Sequence, residues 1–364
     1  MPPPTELSII VPLLNERERI LLLLRMLARQ EGISFEVILS DGGSTDDTLE
    51  LAGTIEESLP YALTIVSGPR GRGGQLNRGV SAAGGEWLLF LHADSVFPDP
   101  AAITKGITAV REASRAKSDG RLAGRFTLRF DRGETPSSFG YSFCEGKARL
   151  HRDGCILGDQ GFLLSRKLLE TIGPFDEALP LGEDLEMARR ICRNEKFLLL
   201  PAEILTSPRR FQREGYRSRQ TLNALLMGLL ISGHSTFLTS LAGSYEHHAA
   251  GRPLELEPFF RHIATLVATL PGRERLIFWY RIGDYVRSNI WQLAFALDLH
   301  RSRQQGNGGG EGRFLQWYDR YLEPMSNHPP GVLLTGGVVL VWFYAAKKWR
   351  WLREGVRSNE KRAG

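Results

Sequence analysis

Over the first hundred residues, short continuous apolar runs alternate with stretches of helical periodicity. "LSIIVPLL" is a β-branched run with no polar interruption beyond its serine, the pattern of a strand covered on both faces. "ERERILLLLRMLARQEG" follows with apolar residues at helical spacing and stops at Gly32. "FEVILSDGG" predicts a second strand and "STDDTLELAGTIEESL" a second helix, with Ser44 or Thr45 as its N-cap. "ALTIVSG" predicts a third strand, "GGQLNRGVSAAGG" a helix and "EWLLFLHAD" a fourth strand. Strands that alternate with helices imply right-handed βαβ units, hence an α/β fold with a mostly parallel sheet flanked by helices.

Beyond Arg121 the alternation loosens. "RLAGRFTLRFD" predicts another strand, and the stretch from Leu157 to Ile204 a strand-like piece, a helix, a Gly-Pro turn and a helix that starts at Glu183-Asp184. After about Gly215 the chain becomes apolar and helix-like, which predicts a domain over 1–215 and a mostly helical extension over 216–364 with a flexible linker near 303–313. "GVLLTGGVVLVWFYAA" is an apolar run of 16 residues, short of the ~20 of a spanning helix. Its cationic flank, Lys347 to Arg353, would lie on the wrong side of a single crossing from the cytosol. Packing helices or an amphipathic membrane-surface contact is therefore the expectation for the extension.

Composition narrows the picture modestly. The net charge of +5 fits anionic ligands or an anionic surface and is too small to argue for nucleic acid. Three cysteines without paired spacing predict reduced thiols in the core, and the N-terminal residues lack a signal-peptide pattern, which predicts a cytoplasmic protein, peripheral at the membrane where the extension attaches it.

The candidate chemistry sits at the strand ends. In parallel sheets ligands bind beyond the carboxyl ends of the strands. Asn15-Glu16, Asp41 and His92-Ala93-Asp94 all fall there, and strand alternation puts His92 and Asp94 on one face. A dinucleotide fingerprint is missing after the first strand, where the chain reads Pro12-Leu13-Leu14-Asn15-Glu16, and Walker A does not occur. A dehydrogenase or a P-loop enzyme is thereby disfavoured.

Four ordered motifs, "SIIVPLLNE", "VILSDGGSTDDT", "GRGGQLNRGVSAAGGEWLLFLHAD" and "LPLGEDLEMARR", make residues 6–215 resemble the family-2 glycosyltransferases of GT-A fold. "SDGGSTD", "FLHAD", "GDQG" and "SPRRF" look most like a bacterial subgroup associated with arsenosugar biosynthesis. The resemblance implies an inverting transfer of a sugar from a nucleotide-diphosphate donor to a hydroxyl or phosphate acceptor. It implies a donor site of Pro12, Asn15, Glu16, Asp41, Arg70, Arg72 and His92, with Asp159, Gln160, Arg209 and Arg210 as further sugar, acceptor or diphosphate contacts. Asp184 matches the general base and Glu183 its neighbour, while Asp94, with His92, would hold Mg²⁺ or Mn²⁺. Two departures stand out: His92 replaces the first aspartate of the family's Asp-x-Asp signature, and Gly42 replaces another aspartate found in many relatives. Each residue also has a plainer reading: Asp41 as a turn aspartate, His92 as a structural histidine, Asp184 as a helix N-terminal charge. The rival functions are a sugar nucleotidyltransferase and a degenerate, non-catalytic binder.

Overall fold

The computed structural model describes residues 5–115, 120–133, 138–234, 237–238, 241, 254–304 and 312–363. The chain forms two compact units, Met1–Pro208 and Arg209–Gly364.

In the first unit, β1 (Leu7–Leu13), α1 (Ile20–Leu27), β2 (Phe35–Asp41), α2 (Thr48–Ile55), β3 (Ala62–Ser67), α3 (Arg72–Ala82) and β4 (Trp87–Phe90) follow one another as the alternation predicts. Then come α4 (Ala102–Arg115), β5 (Ala123–Phe130), α5 (Phe139–Lys147), β6 (Phe162–Ser165), α6 (Arg166–Ile172), α7 (Glu183–Asn194) and β7 (Phe197–Thr206). The seven strands form one sheet in the order β3-β2-β1-β4-β6-β5-β7. β1, β2, β3 and β4 run parallel, as do β5 and β7, whereas β6 lies antiparallel between β4 and β5. The sheet is mostly parallel but mixed.

Its uninterrupted apolar strands have a direct cause. Ile9, Val11, Val37, Leu39 and Leu89 pack into a core on one face, while Ile10, Ile38, Leu88 and Phe90 pack into a second core on the other. With both faces covered, no position of β1 or β4 is left for a solvent-facing residue. α1 buries the stripe Ile20, Leu23, Leu24 and Leu27 and ends at Leu27, earlier than its periodicity suggests. Gly32, at φ 76°, then turns the chain toward β2. The predicted N-cap of α2 is corrected: the helix starts at Thr48 after Asp47, because Ser44 and Thr45 are taken up by the loops described below.

The second unit is helical: α8 (Arg209–Glu214), α9 (Tyr216–Ile231), α10 (Glu257–Thr269), α11 (Gly272–Arg287), α12 (Trp291–Gln304), α13 (Arg313–Trp317), α14 (Glu323–Ser326) and α15 (Pro329–Ala363). Its core gathers Leu222, Leu229, Phe259, Phe260, Phe278, Trp279 and Phe343. The predicted linker lies largely outside the described residues. The apolar run expected to fall short of a membrane span is part of a longer helix. Pro329–Lys348 spans 20 residues at mean hydropathy 1.5, with 17% of the apolar window buried, so it is long and apolar enough to cross a membrane. The three cysteines are free, yet only Cys155 is a core residue, because Cys144 is half-buried and Cys192 exposed. Burial pushes the Cys155 thiol up to about 11.

Candidate active site

The site begins with how the ends of β1 and β2 are held. Gln75 of α3 is buried and donates through Nε2 to the carbonyls of Leu13 (2.7 Å) and Ser40 (2.9 Å), joining the two strand ends. The Gly42 N–H donates to Leu13 O at 2.9 Å. A Cβ on Gly42 would stand 2.9 Å from Gln75 Cδ, so the glycine that departs from the family pattern makes room for that amide.

Asp41 is 2% exposed, and its carboxylate accepts from the Gly43 N–H (2.9 Å), the Ser44 N–H (3.1 Å) and the Ser44 hydroxyl (2.6 Å). It organises its own turn. Asn15, left-handed at φ 55°, accepts through Oδ1 from the Thr45 N–H at 2.8 Å, and its own N–H donates to Ser44 Oγ at 2.9 Å. The Glu16 N–H donates to Thr48 Oγ1 at 2.8 Å. The loops after β1 and β2 are thus one stitched platform, and the αL conformation falls on asparagine, a residue that tolerates it.

His92 and Asp94 reach the same edge by a different route from the one alternation suggests. β4 ends at Phe90, and the next residues form a turn closed by His92 N–H to Ser95 Oγ (3.0 Å) and Ser95 N–H to His92 O (3.1 Å). The strand rule that would put both side chains on one face therefore does not apply to them.

Beyond these ends lies an open cleft lined by Pro12, Arg72, His92, Gly158, Glu183 and Asp184. Its apolar floor is Leu76, Phe90, Phe162 and Phe175. Five of the residues singled out by sequence meet here from four segments far apart in the chain. Asp184 and Glu183 open α7 directly after Gly182, which adopts φ 84°. The Asp184 carboxylate accepts from the Gly158 N–H (2.8 Å) and the Leu185 N–H (2.8 Å). Gly158 is the spacer between two functional groups: a Cβ there would lie 3.1 Å from Asp184 Oδ2 and 3.2 Å from His92 Nε2. Glu183 is buried, and Arg72 Nε lies 3.2 Å from its Oε1. Burial raises the Glu183 pKa, the Asp184 charge adds to that, and Arg72 opposes both.

Asp159 adds a third carboxylate. Its Oδ1 is shielded from solvent and has no hydrogen-bond partner. Burial, then the charges of Asp184 and Asp94, push its pKa up to about 7, with Arg72 and Lys147 opposing. Asp94, Asp159 and Asp184 therefore share one electrostatic neighbourhood. Among the described residues, however, no three His, Cys, Asp or Glu side chains close on one point as a ready metal cage.

The remaining predicted residues lie elsewhere. Gln160 is 1% exposed, and its amide is engaged inside the protein: Oε1 accepts from Arg125 at 2.7 Å and Nε2 donates to Cys155 O at 2.7 Å. The sugar contact expected of Gln160 is replaced by support of a buried arginine. Arg125 itself, unforeseen in the sequence, is fully buried and also donates to the carbonyls of Ala148 and Leu150; burial lowers its pKa to about 10. Arg70 is exposed and lies outside the cleft lining. Arg209 and Arg210 open α8, in the C-terminal unit. Gly73, directly after Arg72, has a packing role, since a Cβ there would come within 2.7 Å of Asp176 O.

Comparison with known proteins agrees with this architecture. Residues 8–173 match the family model described as Glycosyl transferase family 2. That part of the chain is a glycosyltransferase family 2 domain. The chain is 33% identical over 170 residues to a PGL/p-HBAD biosynthesis glycosyltransferase of Mycobacterium bovis, which covers 46% of this chain and 62% of the relative. It is 26% identical over 195 residues to the succinoglycan biosynthesis protein ExoA of Rhizobium meliloti, covering 51% and 58%. The chain thus spans about three-fifths of the length of these curated relatives. Among solved structures, it is similar to the mannosyltransferase PcManGT of Pyrobaculum calidifontis in complex with GDP-Man and Mn²⁺ (16% identity, TM-score 0.48, covering 93% and 89%). It is also similar to S. aureus TarS in complex with UDP (16% identity, TM-score 0.46, covering 83% and 92%).

Proposed function

We propose that the protein is an inverting glycosyltransferase that moves a sugar from a nucleotide-diphosphate donor to a hydroxyl or phosphate acceptor. The observation that carries the reading is the meeting of Asp184, His92 and Arg72 at one cleft, beyond the strand ends of a family 2 domain. Asp184 takes the proton of the acceptor hydroxyl as its oxygen attacks the anomeric carbon. The bond from that carbon to the diphosphate oxygen breaks from the opposite face, which inverts the centre, and the nucleoside diphosphate leaves with the bonding electrons. Two backbone N–H groups fix the Asp184 carboxylate, so the base is aimed before the acceptor arrives. Arg72, at the rim and 39% exposed, faces the developing charge of the leaving diphosphate, and its pairing with Glu183 sets its direction. The platform of Asn15, Glu16 and Asp41 offers the surface for the nucleoside.

A divalent cation fits the chemistry of the donor set. The neighbourhood of Asp94, Asp159 and Asp184 supplies hard carboxylate oxygens, and the orphaned Asp159 Oδ1 is an acceptor in want of a positive partner. Asp94, with His92, would hold Mg²⁺ or Mn²⁺, and substrate oxygens and water would complete the shell. Such an ion supplies charge neutralisation at the diphosphate. The arsenosugar-associated subgroup remains the finer reading, supported by the motif wording alone.

The test is a donor panel of UDP-, GDP-, CDP- and dTDP-sugars with Mg²⁺ or Mn²⁺. Release of nucleoside diphosphate by the wild type, reduced at least about 100-fold in Asp184→Asn, is expected for the loss of a general base. Pyrophosphate exchange would indicate the nucleotidyltransferase, and binding without turnover a degenerate domain.

A further inference from the structure

The C-terminal unit carries an apolar surface that sets it apart from the transferase domain. Of the nineteen exposed large apolar side chains among the described residues, fifteen belong to this unit. α15 alone exposes Leu333, Leu334, Val338, Val341 and Trp342, with Leu334 at 72% and Val341 at 66%. A helix that is apolar all round is ordinarily buried in protein or in lipid. Pro329 to Ala346 contains no charged residue. Only the stripe Val332, Gly336 and Phe343 is buried, and the open positions span about half the helix circumference.

The neighbouring helix decides between crossing a bilayer and lying on it. α11 packs antiparallel to α15 at very close range. A Cβ on Gly283 would fall 2.6 Å from Val332 O, and Trp279 stacks edge-on against Phe343 at 5.6 Å between ring centroids. α11 therefore shares the depth of α15 along the whole apolar stretch. It also carries exposed Arg281 and Asp284, on either side of the point where Gly283 meets Val332 and Gly336, and so within that stretch. Were α15 to cross, these two charges would be carried into hydrocarbon, where ionised side chains are strongly disfavoured. With the pair lying flat, the outer face of α15 enters the acyl region, while the charged positions of α11 stay in water. Trp342 and Tyr344 are residue types that favour the headgroup boundary. Lys347 and Lys348 directly follow the uncharged stretch, and in sequence Arg350 and Arg353 come next, which suits an anionic lipid surface.

We propose that the C-terminal unit is a monotopic anchor: the α11–α15 pair lies in the plane of an anionic membrane surface with the outer face of α15 among the acyl chains. The inference stands independently of the transferase reading. The test uses the full chain and vesicles of phosphatidylcholine, alone or mixed with phosphatidylglycerol. The protein is expected to float with the mixed vesicles, and the double variant Leu334→Glu/Val341→Glu to lose about tenfold or more in partitioning. Both positions are exposed, so circular dichroism should be unchanged; should that variant fail to fold, lipid quenching of the wild type still decides the matter. Brominated lipids should quench the fluorescence difference between wild type and Trp342→Phe more strongly with bromines near the headgroup than near the chain end. Stronger quenching by deep bromines would overturn the flat arrangement in favour of a crossing. Absence of flotation, or a dimer in solution dissolved by the same variants, would replace the bilayer with a second copy of the chain.

Discussion

Gly158→Ala tests the catalytic geometry without removing any functional group. No left-handed φ forces glycine at this position, so the backbone accepts alanine and only space argues against it. The new methyl would sit 3.1 Å from both Cβ and Oδ2 of Asp184 and 3.2 Å from His92 Nε2. Relief to ordinary contact distance requires a retreat of about 0.5 Å by one or both side chains. Misplacement of a catalytic group by about 1 Å costs on the order of 100-fold, so about tenfold in kcat, or ~1.4 kcal/mol, is expected here. Stability should change by no more than about 1 kcal/mol, because overpacking is offset by the lower unfolded-state entropy of alanine. The Gly158 N–H that holds Asp184 remains in place, so the loss reports displacement and not a missing hydrogen bond. Gly53→Ala is the control: at this exposed position of α2 its Cβ meets nothing within 4 Å, so kcat should be unchanged and Tm should rise slightly. Steady-state kinetics with the preferred donor, together with thermal unfolding, separate these effects. Wild-type kcat in Gly158→Ala, or a defect in KM alone, would refute the placement of Asp184 at the reacting centre.

Three other perturbations probe separate parts of the site. Gln75→Leu removes the amide that joins the carbonyls of Leu13 and Ser40, of which Leu13 O keeps the Gly42 N–H, and should cost about 1–3 kcal/mol in urea unfolding, with the donor KM raised as the platform loosens. Asp159 is raised in the folded state from 3.8 to about 7, so its contribution to stability is full at low pH and is lost as pH rises through 7. In metal-free buffer Asp159→Asn should therefore gain stability over wild type between pH 5 and pH 8, by at most about 4 kcal/mol, and a flat difference across that range would remove the carboxylate cluster from the account. Mn²⁺ should raise the Tm of wild type but not of Asp94→Asn, a difference read by thermal shift at fixed donor-free conditions.

The sequence discloses the parts of this molecule that rest on burial. β1, β2 and β4 are legible because strands covered on both faces must be apolar throughout, and α7 because a glycine followed by Glu183-Asp184 marks a helix start. The antiparallel direction of β6 was not legible. Phe162–Ser165 is a four-residue apolar piece whose direction is set by its pairing with β4 and β5 and leaves no trace in its periodicity. Ser44 and Thr45 carry good N-cap chemistry, yet Asp41 and Asn15 compete for them, and that competition is visible only once the two loops are adjacent. Arg125 reads as one arginine of an alternating strand; nothing local says that four carbonyl and amide oxygens await it inside. The extent of α15 was not legible either: the apolar run stops at Ala346, where charge begins, whereas the helix runs from Pro329 through Lys347 and Lys348, because helical backbone continues across a change from apolar to charged side chains.

The acidic cluster explains why the domain keeps a costly arrangement. Two charges, Asp184 and Asp94, bear on Asp159, whose shielded oxygen has no donor to satisfy it. A domain chosen for stability alone would replace half-buried Asp159 with an amide, since an unpartnered shielded acceptor and a like-charge neighbourhood both work against folding. Arg72 relieves part of the repulsion, but it is committed to Glu183 and stands partly in solvent. The uncompensated remainder is therefore a standing demand for positive charge, which the proposed cation would meet. On the proposed function, recognition and chemistry would draw on the same electrostatic deficit, and that shared field is what groups Asp159, the least conspicuous acid in the sequence, with Asp94 and Asp184.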